Sequence, residues 1–105
     1  MNGRASKRKG NTFERECVNQ AKIEGFEAKR AYASNGLSLG YTEEVDVLID
    51  GIPIQCKRRK KIARWLKPPV GAEAVLVRED HGETYLIQPY KAWLASRGDT
   101  ISDSK

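Results

Sequence analysis

An Asp-Gly dipeptide at positions 50–51 separates two apolar, β-branched runs, residues 45–49 and 52–56. Glycine adopts the positive φ that a tight turn requires, so this pattern predicts a β-hairpin with a two-residue turn. Side chains alternate between the two faces of a strand, and only one register keeps the apolar residues on the same face. That register pairs Ile49 with Ile52, Val47 with Ile54, and Val45 with Cys56.

The other face of the predicted hairpin carries polar side chains. Asp46 lies across from Gln55, and Lys57 follows two residues later, across from Glu44. A carboxylate and an amide oxygen suit a hard divalent cation, and a lysine beside them can orient a water or neutralise charge on a phosphate. Ordinary charge pairs on a solvated face explain the same pattern. Taken alone, the hairpin favours this simpler interpretation.

A first helix is predicted over residues 11–24, with Gly25 as its C-terminal stop. Glu14 falls inside the apolar stripe of this helix, which consists of Phe13, Cys17, Val18 and Ala21. With Asn11 as the N-cap, Glu14 is the third-position partner of a capping box. A carboxylate that faces the core usually has a partner there, and a cation shared with Asp46 is the second explanation.

The rest of the pattern predicts short strands and helices in alternation. A first strand is expected over 26–33 and a Gly- and Ser-rich loop over 34–40. The elements expected after the hairpin are a short helix over 62–66, strands over 73–78 and 84–88, and a helix over 90–96 that begins after Pro89. We therefore expect an α/β fold of mixed α+β type, in which helices flank a mixed five-stranded sheet.

The length of the chain predicts one domain. A chain of 105 residues can bury one core of a helix or two on a sheet. Residues 1–10 are polar and basic, and we expect a flexible arm that lies along a phosphate backbone through residues such as Lys9. The domain itself is predicted over 11–97, followed by a polar, flexible tail over 98–105.

Positive charge is concentrated directly after the hairpin. The net charge is +5, and residues 57–67 contain seven of the 19 Lys and Arg residues and no acid. Such a concentration is typical of a surface that binds a polyanion. A solvated helix face is the alternative, because most charge runs have that role.

The sequence also disfavours two other classes of protein. No segment has the length and apolarity of a membrane span, and the N-terminus lacks the apolar core of a signal peptide, which predicts an intracellular, cytoplasmic protein. Cys17 and Cys56 are interpreted as reduced core residues. They form no metal-binding motif with the single histidine, His81, so a zinc site is not expected.

Several short motifs together resemble one superfamily of enzymes. The motifs are Lys9-Gly10, Phe13-Glu14-Arg15-Glu16, Gly25-Phe26, Arg30, Ser34-Asn35-Gly36, Val45-Asp46-Val47 and Gln55-Cys56-Lys57. In order and spacing they resemble the PD-(D/E)XK nucleases, and within that superfamily the archaeal-type Holliday junction resolvases. The resemblance covers residues 9–58, and the second half of the chain agrees with it only in its expected strand-strand-helix pattern.

The resemblance implies a restriction-endonuclease-like fold and a metal-dependent endonuclease that cuts branched DNA as a homodimer, in a prokaryote or a phage. Asp46 is the implied central metal ligand, with Gln55 and Glu14 as further ligands of Mg²⁺, for which Mn²⁺ can substitute. Lys57 is the implied water-orienting or charge-stabilising residue, and the resemblance implies that Ser34 lies near the scissile phosphate. The resemblance adds Arg15 and Arg30 to the DNA-binding residues expected from the charge pattern, which are Lys9, Arg58, Arg59, Lys60 and Lys61.

Gln55 departs from the pattern of the superfamily, which usually has Glu or Asp at this position. An amide oxygen is a weaker metal ligand than a carboxylate. Glu44 faces the same side as Asp46 and could restore the missing charge, although exposed strand-end acids are the simpler role for Glu43 and Glu44. Three functions stay open: a junction resolvase, a nuclease for nicks, flaps or ends, and a nuclease-fold module that binds nucleic acid without cleaving it.

Overall fold

The computed structural model describes residues 3–31 and 36–103. The helices and strands, in chain order, are α1 (Gly3–Ile23), β1 (Ala28–Arg30), β2 (Val47–Ile49), β3 (Ile52–Ile54), β4 (Val75–Val77), β5 (Tyr85–Ile87) and α2 (Tyr90–Asp103). Short 3₁₀ turns occur at Gly36–Leu39 and Arg64–Leu66. The chain divides into two compact units, Met1–Arg59 and Lys60–Lys105. The predicted mixture of helices and strands is confirmed.

The first unit contains a three-stranded antiparallel sheet in the order β1-β2-β3. Asp50 and Gly51 both have positive φ, 52° and 77°, as a type I′ turn requires. The turn fixes the predicted register, because Ile49 pairs with Ile52 and Val47 pairs with Ile54. The apolar face of the hairpin is therefore confirmed, and Val47 and Ile49 are both fully buried.

The regular pairing of this hairpin stops earlier than predicted. β2 begins at Val47 and β3 ends at Ile54, so the expected pairs beyond them, Asp46 with Gln55 and Glu44 with Lys57, are not part of the ladder. The reason is a shift of one residue, since the N–H of Asp46 donates to the carbonyl of Ile54 at 3.0 Å. Asp46 and Val47 thus both approach Ile54, as at a β-bulge.

Helix α1 begins at Gly3, so the prediction of a helix start at Asn11 is wrong, and with it the capping box. Residues 3–10, predicted as a flexible arm, are helical. Ala, Arg and Lys in this segment have high helix propensity, which outweighs the cost of about 1 kcal/mol for Gly10 inside the helix. The predicted stop is confirmed at Gly25, whose φ of 94° gives the left-handed conformation of a C-terminal cap.

The core of the first unit lies between α1 and the sheet. Helix α1 contacts β1 and β2. The buried apolar side chains here are Val18, Ala21, Phe26, Ala31, Val47 and Ile49. The helix contributes to this core with a narrow stripe, and Glu14, one turn before Val18, is buried in the same stripe.

The second unit contains β4 and β5, which form a separate two-stranded antiparallel sheet. The described strands therefore form sheets of three and two strands, with antiparallel pairs in both, and the prediction of one mixed five-stranded sheet is corrected accordingly. Helix α2 begins after Pro89 as predicted but continues to Asp103, past the expected end at Ser96. A contact between two side chains spans this predicted end. The guanidinium of Arg97 lies 5.2 Å from the ring centre of Trp93, one turn earlier.

Among the described residues, the structure has no helix with the length and apolarity needed to cross a membrane. The flexible tail predicted over 98–105 is helical as far as Asp103. The single nuclease domain over 11–97 stays a prediction.

Candidate active site

Asp46 is fixed by three hydrogen bonds at the start of the central strand. Its backbone N–H donates to Ile54, and its carbonyl accepts a hydrogen bond from the N–H of Ala31 at 2.8 Å. Its carboxylate Oδ2 accepts a hydrogen bond from the backbone N–H of Cys56 at 2.7 Å. The side chain therefore takes the place of a backbone carbonyl as the acceptor for Cys56, and it connects β2 to the segment after β3.

Gln55 and Lys57 lie on either side of the residue that anchors Asp46. Both are exposed, whereas Asp46 is half-buried. The hydrogen bond from Cys56 brings the carboxylate to the same short stretch of backbone that carries these two side chains. The strand pairing predicted from the sequence also brings Asp46 close to Gln55 and Lys57. In the structure the contact is instead a hydrogen bond from the backbone N–H of Cys56 to one oxygen of the Asp46 side chain.

Glu14 is buried in α1, with an exposed fraction of 5%. Its carboxylate forms an ion pair with Arg30, since Arg30 Nε lies 3.2 Å from Glu14 Oε1. The same guanidinium donates from Nη2 to the side-chain oxygen of Asn11 at 3.2 Å. Asn11 and Glu14 are neighbours one turn apart on α1, so two residues of the helix bind one arginine of β1. The core-facing acid thus has the partner that its burial requires.

The oxygen-bearing side chains of the candidate site can be compared with the ligands that a divalent cation requires. Among the described residues, no group of three His, Cys, Asp or Glu side chains could bind a metal ion. Mg²⁺ usually binds through one or two carboxylates and fills its other positions with water and substrate phosphate oxygens. Asp46 retains Oδ1, and exposed Gln55 offers an amide oxygen, so the chemistry of this pair fits such an ion. Metal ligation by Asp46, Gln55 and Glu14 stays a prediction.

Two of the predicted DNA-binding residues come together at the surface of the first unit. Arg58 donates from Nη1 to the carbonyl of Lys9 at 3.4 Å, which places the start of the basic run against α1. Arg15 and Arg59 are also exposed in this unit. Arg30 is different, because its guanidinium contacts Glu14 and Asn11 within the protein. Lys60 and Lys61 are exposed and belong to the second unit.

The loop before the central hairpin is only partly described. Ser34, predicted near the scissile phosphate, lies outside the described residues. Gly36 is buried, and a Cβ added there would lie 2.7 Å from the Cβ of Val45 and would also collide with the carbonyl of Thr42. The backbone at position 36 therefore packs directly against the residue that precedes Asp46, which requires glycine.

The two cysteines contact each other beside Asp46. The Cys56 thiol forms a hydrogen bond with Cys17 that, together with burial, raises the pKa of Cys56 above its ordinary value. The same hydrogen bond lowers the pKa of Cys17. Both residues are half-buried and reduced in this structure, which agrees with the predicted free thiols.

Sequence reasoning missed two features of this site. The sequence pattern predicts Asn11 as an N-cap, although its spacing of three residues from Glu14 also fits a shared partner. The anchoring role of the Cys56 backbone has no signal in the sequence, because any residue except proline supplies an N–H.

One comparison with known proteins gives a match. A protein-family model described as archaeal Holliday junction resolvase matches residues 5–103. Searches of curated proteins and of solved structures found no match. The matched region covers most of both units and includes all the candidate site residues.

The ion pair between Arg30 and Glu14 predicts a coupling that unfolding experiments can measure. Arg30→Met should lower the free energy of unfolding by about 1–3 kcal/mol, because a buried carboxylate loses a charged hydrogen-bond donor. In the background of Glu14→Gln, the same change should cost less, with a coupling energy of about 0.5–3 kcal/mol in a urea-denaturation cycle.

Arg15→Met is the matched control for this cycle. Arg15 is exposed on the same helix, so its replacement should change stability by no more than about 0.5 kcal/mol. Equal losses for Arg30→Met with and without Glu14 would show that the ion pair contributes nothing to stability.

Proposed function

The chain belongs to the archaeal Holliday junction resolvase family, whose members are metal-dependent endonucleases that cut DNA junctions, and we propose that Asp46, Gln55 and Lys57 form its catalytic centre. One observation supports this centre above the others. The Asp46 carboxylate is bonded at 2.7 Å to the backbone N–H that lies between Gln55 and Lys57. This bond supports a centre in which a hard oxygen ligand, a second oxygen donor and a cation lie at one end of the hairpin.

Each of these residues has a definite chemical role in the proposed centre. Asp46 Oδ1 and the Gln55 amide oxygen would bind the divalent cation, with Glu14 as a further ligand, directly or through water. When bound, the cation supplies Lewis-acid stabilisation of the phosphate and a more acidic water. Lys57 donates to a non-bridging phosphate oxygen and stabilises the negative charge that develops as water attacks phosphorus and the bond to the leaving oxygen breaks.

Glu14 can serve this centre only if its present ion pair allows it. Its carboxylate oxygen Oε1 is bonded to Arg30 in the structure. A carboxylate has about four lone-pair positions, so Glu14 can accept a hydrogen bond from a metal-bound water while Arg30 remains in place. Arg30 then orients Glu14, and we propose this role beside the DNA contact that the family resemblance implies.

The proposed substrate is a four-way DNA junction, and Mg²⁺ is the proposed ion, with Mn²⁺ as a substitute. Arg58 and Lys9 meet at the surface and would bind phosphates near the centre, as would Arg15 and Arg59. Lys60 and Lys61 are proposed as further phosphate-binding residues. Ser34 is proposed near the scissile phosphate. Two symmetric cuts in a four-way junction require two active sites, so we propose a homodimer that acts on intracellular DNA. The restriction-endonuclease-like fold is part of the same proposal.

Asp46→Asn tests the centre directly. The substitution should abolish cleavage of a synthetic four-way junction in Mg²⁺ and leave binding of the junction unchanged or slightly tighter. Asparagine retains an oxygen that accepts from Cys56 and removes the charge that binds the cation. Asp50→Asn is the matched control, because it makes the same chemical change in the turn of the same hairpin at a positive φ that asparagine tolerates.

The outcome also separates the candidate functions. Wild-type cleavage rates in Asp46→Asn would exclude the proposed centre. Binding without cleavage by the wild-type protein, at every Mg²⁺ and Mn²⁺ concentration, would identify a nuclease-fold binding module. Linear, nicked and flap substrates in the same assay would reveal a nuclease with a different preferred structure.

Gln55→Glu should retain or raise cleavage activity and lower the Mg²⁺ concentration needed for half-maximal rate. The change adds a charged oxygen where the superfamily usually has one, and a carboxylate is a stronger ligand for Mg²⁺ than an amide. Gln88→Glu in the second unit is the control for the added charge. An inactive Gln55→Glu protein across the whole Mg²⁺ range would assign Gln55 a role other than metal binding.

Replacing Arg58, Arg59, Lys60 and Lys61 with glutamine should flatten the dependence of junction affinity on salt. Each lost phosphate contact should reduce the slope of log affinity against log salt concentration by roughly 0.9. Binding titrations between low and physiological salt measure this slope. Lys22→Gln combined with Lys91→Gln removes exposed charges elsewhere as a control, and an unchanged slope in the first variant would remove the run from the DNA-binding surface.

A further inference from the structure

We propose that Cys17 and Cys56 are a site of oxidative modification, in which a disulfide bond between them slows DNA cleavage. The two thiols belong to different elements of the first unit, since Cys17 lies in α1 and Cys56 follows β3. Their side chains are hydrogen-bonded to each other. Both are half-buried rather than enclosed, so a small oxidant can reach them.

Each of the two cysteines lies next to a residue of the proposed catalytic centre. Cys17 lies one helical turn after Glu14 on α1. Cys56 donates its own backbone N–H to the Asp46 carboxylate at 2.7 Å. A covalent bond between the sulfurs would therefore join the helix that carries Glu14 to the segment that positions Asp46, Gln55 and Lys57.

The chemical step requires a two-electron oxidant, and an azo compound or a small-molecule disulfide is suitable. With an azo compound, one thiol adds to the nitrogen–nitrogen double bond, and the second thiol attacks the sulfur of that adduct. Two S–H bonds are lost and one S–S bond forms, while the nitrogen compound accepts two protons and two electrons and leaves as a hydrazine. Thiol reductants reverse the change by exchange.

The consequence for the centre follows from the length of the new bond. A disulfide holds its sulfurs about 2.05 Å apart, much closer than two hydrogen-bonded thiols. Closing the sulfurs to this distance displaces Cys17, Cys56 or both, and any movement of Cys56 carries with it the backbone N–H that anchors Asp46. A displacement of roughly 1 Å at a reacting centre can cost about 100-fold in rate. This part of the inference rests on the proposed catalytic role of Asp46.

The experiment compares wild-type protein with Cys17→Ser, each reduced or treated with diamide, an azo oxidant. Oxidised wild type should lose both free thiols, remain a single chain on a non-reducing gel and have a mass lower by two hydrogen atoms. Its cleavage of a four-way junction in Mg²⁺ should fall by roughly tenfold to 100-fold and return with dithiothreitol. Cys17→Ser treated in the same way should form no intramolecular bond and retain its rate.

Every other outcome contradicts part of the inference. Two free thiols after oxidation, or a bond between two chains, would exclude the intramolecular disulfide. A complete disulfide with an unchanged cleavage rate would exclude the effect on the centre. Failure of reduced wild type to cleave would instead contradict the proposed function, and the thiol count and mass would still decide whether the disulfide forms. Circular dichroism of Cys17→Ser and Cys17→Ala would exclude misfolding as the reason for a missing bond.

Discussion

The register of the β2–β3 hairpin determines where the candidate site of the first unit lies. Asp50 and Gly51 adopt positive φ together, and this turn pairs Val47 with Ile54. A slip of one residue would expose Val47 and Ile49, which are fully buried under α1. The same register ends at Val47, where the chain shifts by one residue and the carboxylate before it reaches the backbone of the neighbouring segment. The turn and the buried valine and isoleucine thus determine the position of the acid.

A second constraint is the burial of Glu14 between α1 and the sheet. A charged carboxylate with 5% exposure must be compensated inside the protein, and Arg30 does this from β1 while it also binds Asn11. The network joins α1 to the first strand through polar contacts, next to the apolar core. Removal of one member leaves the others partly desolvated, which makes such a network costly to disrupt. Arg30 therefore has a structural function that a basic position implied by family resemblance does not reveal.

The sequence predicted those parts of the fold that depend on local rules. The Asp50-Gly51 turn, its register and the stop of α1 at Gly25 follow from the conformations that glycine and aspartate adopt, and these predictions are confirmed. The helix start was missed because Asn11 looks like a cap, whereas good helix formers before it extend α1 to Gly3. The division of five strands into two sheets depends on contacts between distant segments, which alternation does not encode. For the candidate site, the alternation of polar and apolar residues predicted that Asp46 lies near Gln55. It could not predict that Glu14 binds Arg30, because the pairing of long side chains is decided by packing.

The hydrogen bond between Asp46 and Cys56 also has an entropic consequence. An aspartate at the surface samples several rotamers, and a ligand that binds it must first select one of them. At Asp46 this selection has already taken place during folding, because Oδ2 is bonded to a backbone N–H whose own position is fixed by the chain. A ligand that meets Oδ1 therefore avoids an ordering cost of roughly 0.5–1.5 kcal/mol for this side chain. The ordering of this side chain is therefore part of folding rather than of ligand binding.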